Sequence, residues 1–96
     1  MSVIYKYEFD LYHVGKIATI TMPGGARVLY VGVQRPGFIC LWAMVDANAK
    51  PVSRTFRVYG TGHPMDEPAN HYLGTCMDGP YVWHVFEVGG AERGTT

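Results

Sequence analysis

The sequence predicts an all-β fold, a small antiparallel sandwich or barrel of about seven short strands. Three observations predict it. Apolar and polar residues alternate with period two over short runs. Those runs are separated by Gly- and Pro-rich turn signals. No window of helical length keeps helical apolar spacing without a Gly or Pro interruption. A chain of 96 residues is the size of one domain. Residues 1–88 are therefore expected to form a single all-β domain, with the Gly-rich residues 89–96 as a flexible tail.

Residues 4–9 alternate and read as a first strand. Residues 16–22 form a second, with Ile17, Thr19 and Thr21 on one side and Ala18, Ile20 and Met22 on the other. Met-Pro-Gly-Gly at 22–25 is a turn signal. Residues 26–34 form a third strand, with Leu29, Val31 and Val33 as an apolar set opposite Val28, Tyr30, Gly32 and Gln34. Arg35-Pro-Gly is a tight turn, because Pro presets φ and Gly supplies a positive φ. Residues 38–46 are the fourth strand, hairpinned to the third. That strand is apolar on both faces, as expected of a central strand or a subunit interface. Residues 47–53 read as a loop, 54–61 as the fifth strand and 62–70 as a longer loop. Residues 72–77 and 81–88 complete the set across the turn Asp78-Gly-Pro.

Lys+Arg and Asp+Glu balance at 8 each, for a net charge of zero. Broad charge-driven binding to long nucleic acid needs a basic footprint, so it is not expected. Low charge also leaves little self-repulsion and favours a homo-oligomer. Cys40 and Cys76 lack metal-site spacing and read as buried free thiols. No leader pattern and no membrane-length apolar run is visible.

The residues that carry chemistry cluster in residues 54–64, Arg-Thr-Phe-Arg-Val-Tyr-Gly-Thr-Gly-His-Pro. Arg57, Tyr59 and Thr61 share a strand face and lead into Gly60-Thr-Gly-His63. Glycines around a hydroxyl residue let a ligand approach the backbone and its N–H groups. An Arg and an aromatic beside such a loop suit a phosphate and a base. On spacing alone, a strand ending in a Gly-rich turn is the simpler reading. Trp42 and Trp83 are candidate stacking platforms, and Gln34 is a candidate polar contact. His13, His63, His71 and His84 form no metal-binding pair, so no metal and no cofactor is expected. His84, inside an apolar strand, reads as a core histidine. No nucleophile elbow or catalytic set is visible, so no enzyme is expected.

Six segments carry a resemblance: Met-Pro-Gly-Gly-Ala at 22–26, Val-Gly-Val-Gln at 31–34, Leu-Trp-Ala-Met-Val-Asp at 41–46, Phe-Arg-Val-Tyr-Gly-Thr-Gly-His at 56–63, Tyr-Leu-Gly-Thr at 72–75 and Val-Trp-His-Val-Phe-Glu at 82–87. They resemble a family of small proteins encoded mostly by tailed bacteriophages and catalogued as a domain of unknown function. Small non-enzymatic phage proteins of this kind include sponges, which hold the cyclic nucleotide signals of antiphage systems without cleaving them. The resemblance implies an anti-defence (anti-CBASS) sponge for a cyclic dinucleotide, acting in the host cytoplasm. Arg57 would then meet a phosphate, and Tyr59 or Trp42 would stack on a base. Thr61, Gly62 and His63 would supply polar contacts. The alternative is a phage accessory module that docks a host or virion protein.

Overall fold

The computed structural model of the protein describes residues 1–14, 16–65 and 71–89. The Gly-rich tail expected to fray therefore lies, from residue 90 onward, outside the described residues. So do the acidic residues Asp66 and Glu67 of the long loop.

Among the described residues, seven strands and one helical turn follow in order. They are β1 (Ser2–Asp10), α1 (Leu11–Val14), β2 (Ile17–Pro23), β3 (Arg27–Gly32), β4 (Phe38–Asp46), β5 (Pro51–Gly60), β6 (His71–Asp78) and β7 (Tyr81–Val88). All strand pairing is antiparallel. The three-stranded sheet has the order β1-β4-β3 and the four-stranded sheet β2-β5-β7-β6. The expected all-β antiparallel class is thus observed, as a sandwich of two sheets. The hairpin of the third and fourth strands is the β3–β4 pair. Several boundaries move by one residue and three by more: β1 starts at Ser2, β3 ends at Gly32 short of the expected Gln34, and β5 starts at Pro51, inside the expected loop. β5 begins early because β2 offers partners down to Pro23, which lies opposite Pro51.

The alternation on β3 breaks at Leu29. A bulge between Val28 and Tyr30 inserts an extra residue against β4. Val28 and Val31 consequently both reach the core, and Leu29 is turned out to 43% exposure. The expected apolar face through Leu29, Val31 and Val33 is corrected on this point. Strict period two fails wherever one strand gains a residue on its partner. β4 is central, as its composition implied. Its core face carries Ile39, Leu41, Ala43 and Val45, all buried. On its other face Cys40 is buried, Trp42 is half-buried and Met44 is exposed.

The core also takes Ala18 and Met22 from β2, Phe56 and Val58 from β5, Cys76 from β6 and Val85 from β7. Two polar contacts lie inside it. Arg54 and Glu87 form a two-pronged pair, Nε to Oε2 at 2.7 Å and Nη2 to Oε1 at 2.8 Å. Glu87 is 1% exposed. Arg54 Nη1 also donates to the carbonyl of Ala26, at the entry to β3. The register explains the geometry: Phe56 lies opposite Glu87, so Arg54 is its diagonal neighbour on the core face. The second contact is the buried Asp78 carboxylate, which accepts the Gly37 N–H at 3.0 Å. It fastens the β3–β4 turn to the end of β6. Nearby, β3 lies alongside β6, and a Cβ on Gly74 would fall 2.5 Å from Val31 Cγ2.

Both cysteines are free and buried. Burial, then the Asp78 and Cys40 charges, push the Cys76 thiol from an ordinary 9.0 up to about 11. Burial also raises Cys40.

Two outcomes are expected. Glu87→Gln leaves the Arg54 guanidinium buried without its counter-charge, which costs about 3–5 kcal/mol in urea unfolding. Replacing both partners with apolar residues of similar volume costs much less. Separately, a raised folded pKa means that the native state holds the Cys76 proton more tightly than the unfolded chain. That contribution is complete below pH 9.0 and is lost as pH rises to about 11. The urea midpoint should fall over this window, and Cys76→Ala should flatten the fall.

Candidate functional site

The outer face of the four-stranded sheet is built by residues that lie opposite one another across its strands. Arg57 faces Ile17 of β2 and Phe86 of β7, and Tyr59 faces His84. His84 and Phe86 face Thr75 and Tyr72 of β6. Tyr59, Phe86 and Tyr72 form an aromatic row. Tyr59 meets Phe86 edge-on at 5.8 Å between centroids, and Tyr72 meets Phe86 at 5.4 Å.

Beyond Gly60 the chain turns. The His63 N–H donates to the Gly60 carbonyl at 3.0 Å, closing a four-residue turn. Gly62 occupies the third position with φ at 85°, a conformation that glycine adopts without penalty. Gly60 has a different reason to lack a side chain. Its Cβ would sit 2.7 Å from the His63 ring, so the imidazole occupies that space. The N–H groups of Thr61 and His63 go to the carbonyls of Val82 and Gly60. The expectation that this loop offers a run of amides to an anion is therefore corrected for those two groups.

Side-chain cations carry the positive charge instead. Lys16 donates to His63 Nδ1 at 3.2 Å, which puts the proton of the neutral ring on Nε2. The Lys16 ammonium lies 5.3 Å from the Trp83 ring centroid. The Arg57 guanidinium lies 5.4 Å from that of Tyr59. These distances fall in the cation–π range.

Three neighbouring recesses with shared wall residues result. The largest, about 500 Å³, is lined by Tyr59, Thr61, His63, Met65, Tyr72, Thr75, His84 and Phe86 with Gly60 and Gly62. A second, about 360 Å³, has Lys16, Arg57, Tyr59, His63 and Pro64 in its wall. A third, about 350 Å³, has Lys16, His63, Tyr81 and Trp83. Tyr59 and His63 are shared by the first two, and Lys16 and His63 by the last two.

Arg57, Tyr59, Thr61, Gly62 and His63 thus meet in one place, and Trp83 joins them through Lys16. Trp42 and Gln34 do not. Trp42 belongs to the other sheet, where it packs against Tyr30 at 6.0 Å, and Gln34 lies in the β3–β4 connection, where it accepts from Lys6 at 2.8 Å. Neither stands beside Arg57.

His84 is not a core histidine. It is half-buried on the outer face, between two threonine hydroxyls. Thr61 Oγ1 lies 2.7 Å from Nε2, and Thr75 Oγ1 lies 2.9 Å from Nδ1. Tyr72 extends the chain through its hydroxyl to Thr75. A neutral imidazole has one donor and one acceptor, so one threonine donates to it and the other accepts from it. Sequence reasoning missed Lys16, Tyr72, Thr75, His84 and Phe86 as site residues. Period two puts His84 and Phe86 on one face. Only the β5–β7–β6 order brings that face beside Tyr59 and Tyr72.

An outward His84 predicts a mild mutant. His84→Phe should lower stability by about 1–3 kcal/mol for two lost hydrogen bonds. Thermal unfolding should remain one cooperative transition, whereas a collapse of the fold would contradict the placement.

Neither the search of curated proteins nor the search of solved structures matches the chain. A family model matches residues 1–95, almost the full length. With its two-sheet fold and aromatic outer face, the chain belongs to the family described as Domain of unknown function (DUF7352).

Proposed function

We propose that this chain is a phage anti-defence sponge that binds and sequesters a cyclic nucleotide signal, such as a cyclic dinucleotide, in the host cytoplasm without cleaving it. The observation that carries the reading is the joining of an aromatic recess to a cationic one. Tyr59, Tyr72 and Phe86 line the first, Lys16 and Arg57 line the second, and Tyr59 and His63 belong to both. A nucleotide needs this pairing of surfaces: an apolar, aromatic slot for the base and cations within reach of the phosphate. The Thr61 hydroxyl, held by His84, keeps a lone pair for the base or ribose edge. The binding is non-covalent in this reading, and the ligand leaves intact.

A second reading, docking of a host or virion protein, draws on the other sheet. There Tyr30 is 67% exposed, beside Leu29 at 43% and Met44 at 36%. Apolar side chains clustered on a sheet face suit a protein partner. A pulldown from infected cells that recovers one stoichiometric protein and no small molecule would favour it.

The test is direct. Purified protein is mixed with cyclic mono-, di- and trinucleotides, washed and heated, and the supernatant is analysed by mass spectrometry. At least one panel member should be retained and released intact. Retention of none sinks the proposal, and recovery only as linear product makes the protein an enzyme. For a retained nucleotide, Tyr72→Ala should cost about 1–3 kcal/mol of binding through lost stacking. Arg57→Ala should cost about 1.5–3 kcal/mol through a lost charge-assisted hydrogen bond.

A further inference from the structure

The four sheet edges are not alike. β3 and β6 lie alongside each other, and each carries a register shift. β2 ends in Pro23 and turns Thr19 and Thr21 outward. Bulges, proline and mutual cover are the usual protections of an edge strand. β1 has no bulge, proline or covering strand, and its charged residues on the seam are Lys6 and Glu8. It pairs with β4 through nine consecutive residues without a shift and contains no Pro or Gly. Among the described residues its other side has no hydrogen-bonded strand.

Its side chains point the same way. Val3 and Tyr5 lie opposite Val45 and Ala43, which are buried at 2% and 0%. They share the core face, yet Val3 is 39% exposed and Tyr5 42%. Ile4, on the outer face, is 61% exposed. From Ser2 to Lys6 the strand is thus open on both faces.

We propose that β1 pairs antiparallel with β1 of a second copy of this chain, about a two-fold axis through Tyr5. In that register Tyr5 lies opposite Tyr5 of the second copy, Val3 opposite Tyr7, Ile4 opposite Lys6 and Ser2 opposite Glu8. The core-facing pairs are aromatic with aromatic and aromatic with β-branched, both favourable across strands. Lys6 meets Ile4 with its methylene stem only, because its ammonium is bonded to Gln34 of its own chain at 2.8 Å. No two like charges lie directly opposite. An antiparallel strand edge is its own complement under a two-fold rotation, so a second copy needs no further adaptation. The net charge of zero leaves little long-range repulsion between copies. Two three-stranded sheets join into one of six strands, and the recesses on the four-stranded sheets stay outside the interface.

Sedimentation velocity of the full chain over the micromolar range tests this. The wild-type chain should be a dimer. Tyr5→Lys, which sets two like charges opposite each other on the axis, should weaken it about tenfold or more. Mixing Tyr5→Lys with Tyr5→Glu should restore a heterodimer, because the axis then joins opposite charges. Leu29→Lys, on the bulge of β3, should leave the dimer unchanged. Circular dichroism checks that each variant folds. Ile4→Lys, also on the open stretch, replaces Tyr5→Lys if the latter does not. A monomeric wild type overturns the proposal. So does a dimer that Tyr5→Lys and Ile4→Lys leave intact, or a monomer that becomes a dimer only when residues 90–96 are removed.

Discussion

The Arg54–Glu87 pair is the constraint around which the sandwich is arranged. Two opposite charges inside a core are tolerable only when each satisfies the other with good geometry. Here the fork of the guanidinium meets both carboxylate oxygens, and its remaining arm reaches the Ala26 carbonyl. The contact spans β5, β7 and the entry to β3. It therefore fixes the register between two neighbouring strands of one sheet and ties them to the other sheet. A one-residue slip of β5 on β7 would turn one charge toward solvent and strand the other in the core. Apolar packing alone would not punish that slip as severely.

With the register of β5 and β7 fixed, the outer face of their sheet follows. Side chains alternate, so committing Arg54, Phe56 and Val58 to the interior sends Arg57, Tyr59 and Thr61 outward. Committing Val85 and Glu87 inward sends His84 and Phe86 outward. The aromatic row and the threonine–histidine chain are therefore the reverse side of the core. The β-bulges serve the opposite edge. They let β3 and β6 approach until Gly74 touches Val31, and the Asp78 carboxylate holds the β3–β4 turn in place.

The chemistry of that outer face is mixed by design of the backbone rather than by local motif. The Gly60–His63 turn uses the N–H groups of Thr61 and His63 to close itself. What it offers a ligand is space, an imidazole held by Lys16 and a wall shared between two recesses. Cations and aromatics from β5, the β1–β2 connection and β7 supply the rest. The sponge proposal draws on all of these groups together, aromatic surface for a planar base and cations for a phosphate.

The sequence by itself determined the class and the strand set. Short apolar runs, most of them alternating and most set off by Gly or Pro, mark the strands, because alternation and turn chemistry are local properties. It also marked Arg57, Tyr59, Thr61, Gly62 and His63, which are contiguous and share one strand and its turn. Period two groups Leu29 with Val31, yet Leu29 turns outward, because a bulge depends on pairing with the partner strand and leaves no local signature. Lys16, Tyr72, Thr75, His84 and Phe86 were missed, and Trp42 of β4 and Gln34 of the β3–β4 connection stand apart from the site. Which strands become neighbours is decided by long-range pairing and by the buried Arg54–Glu87 contact, 33 positions apart in the chain. Only the tertiary structure decided that, and with it which aromatic side chains stand beside which cations.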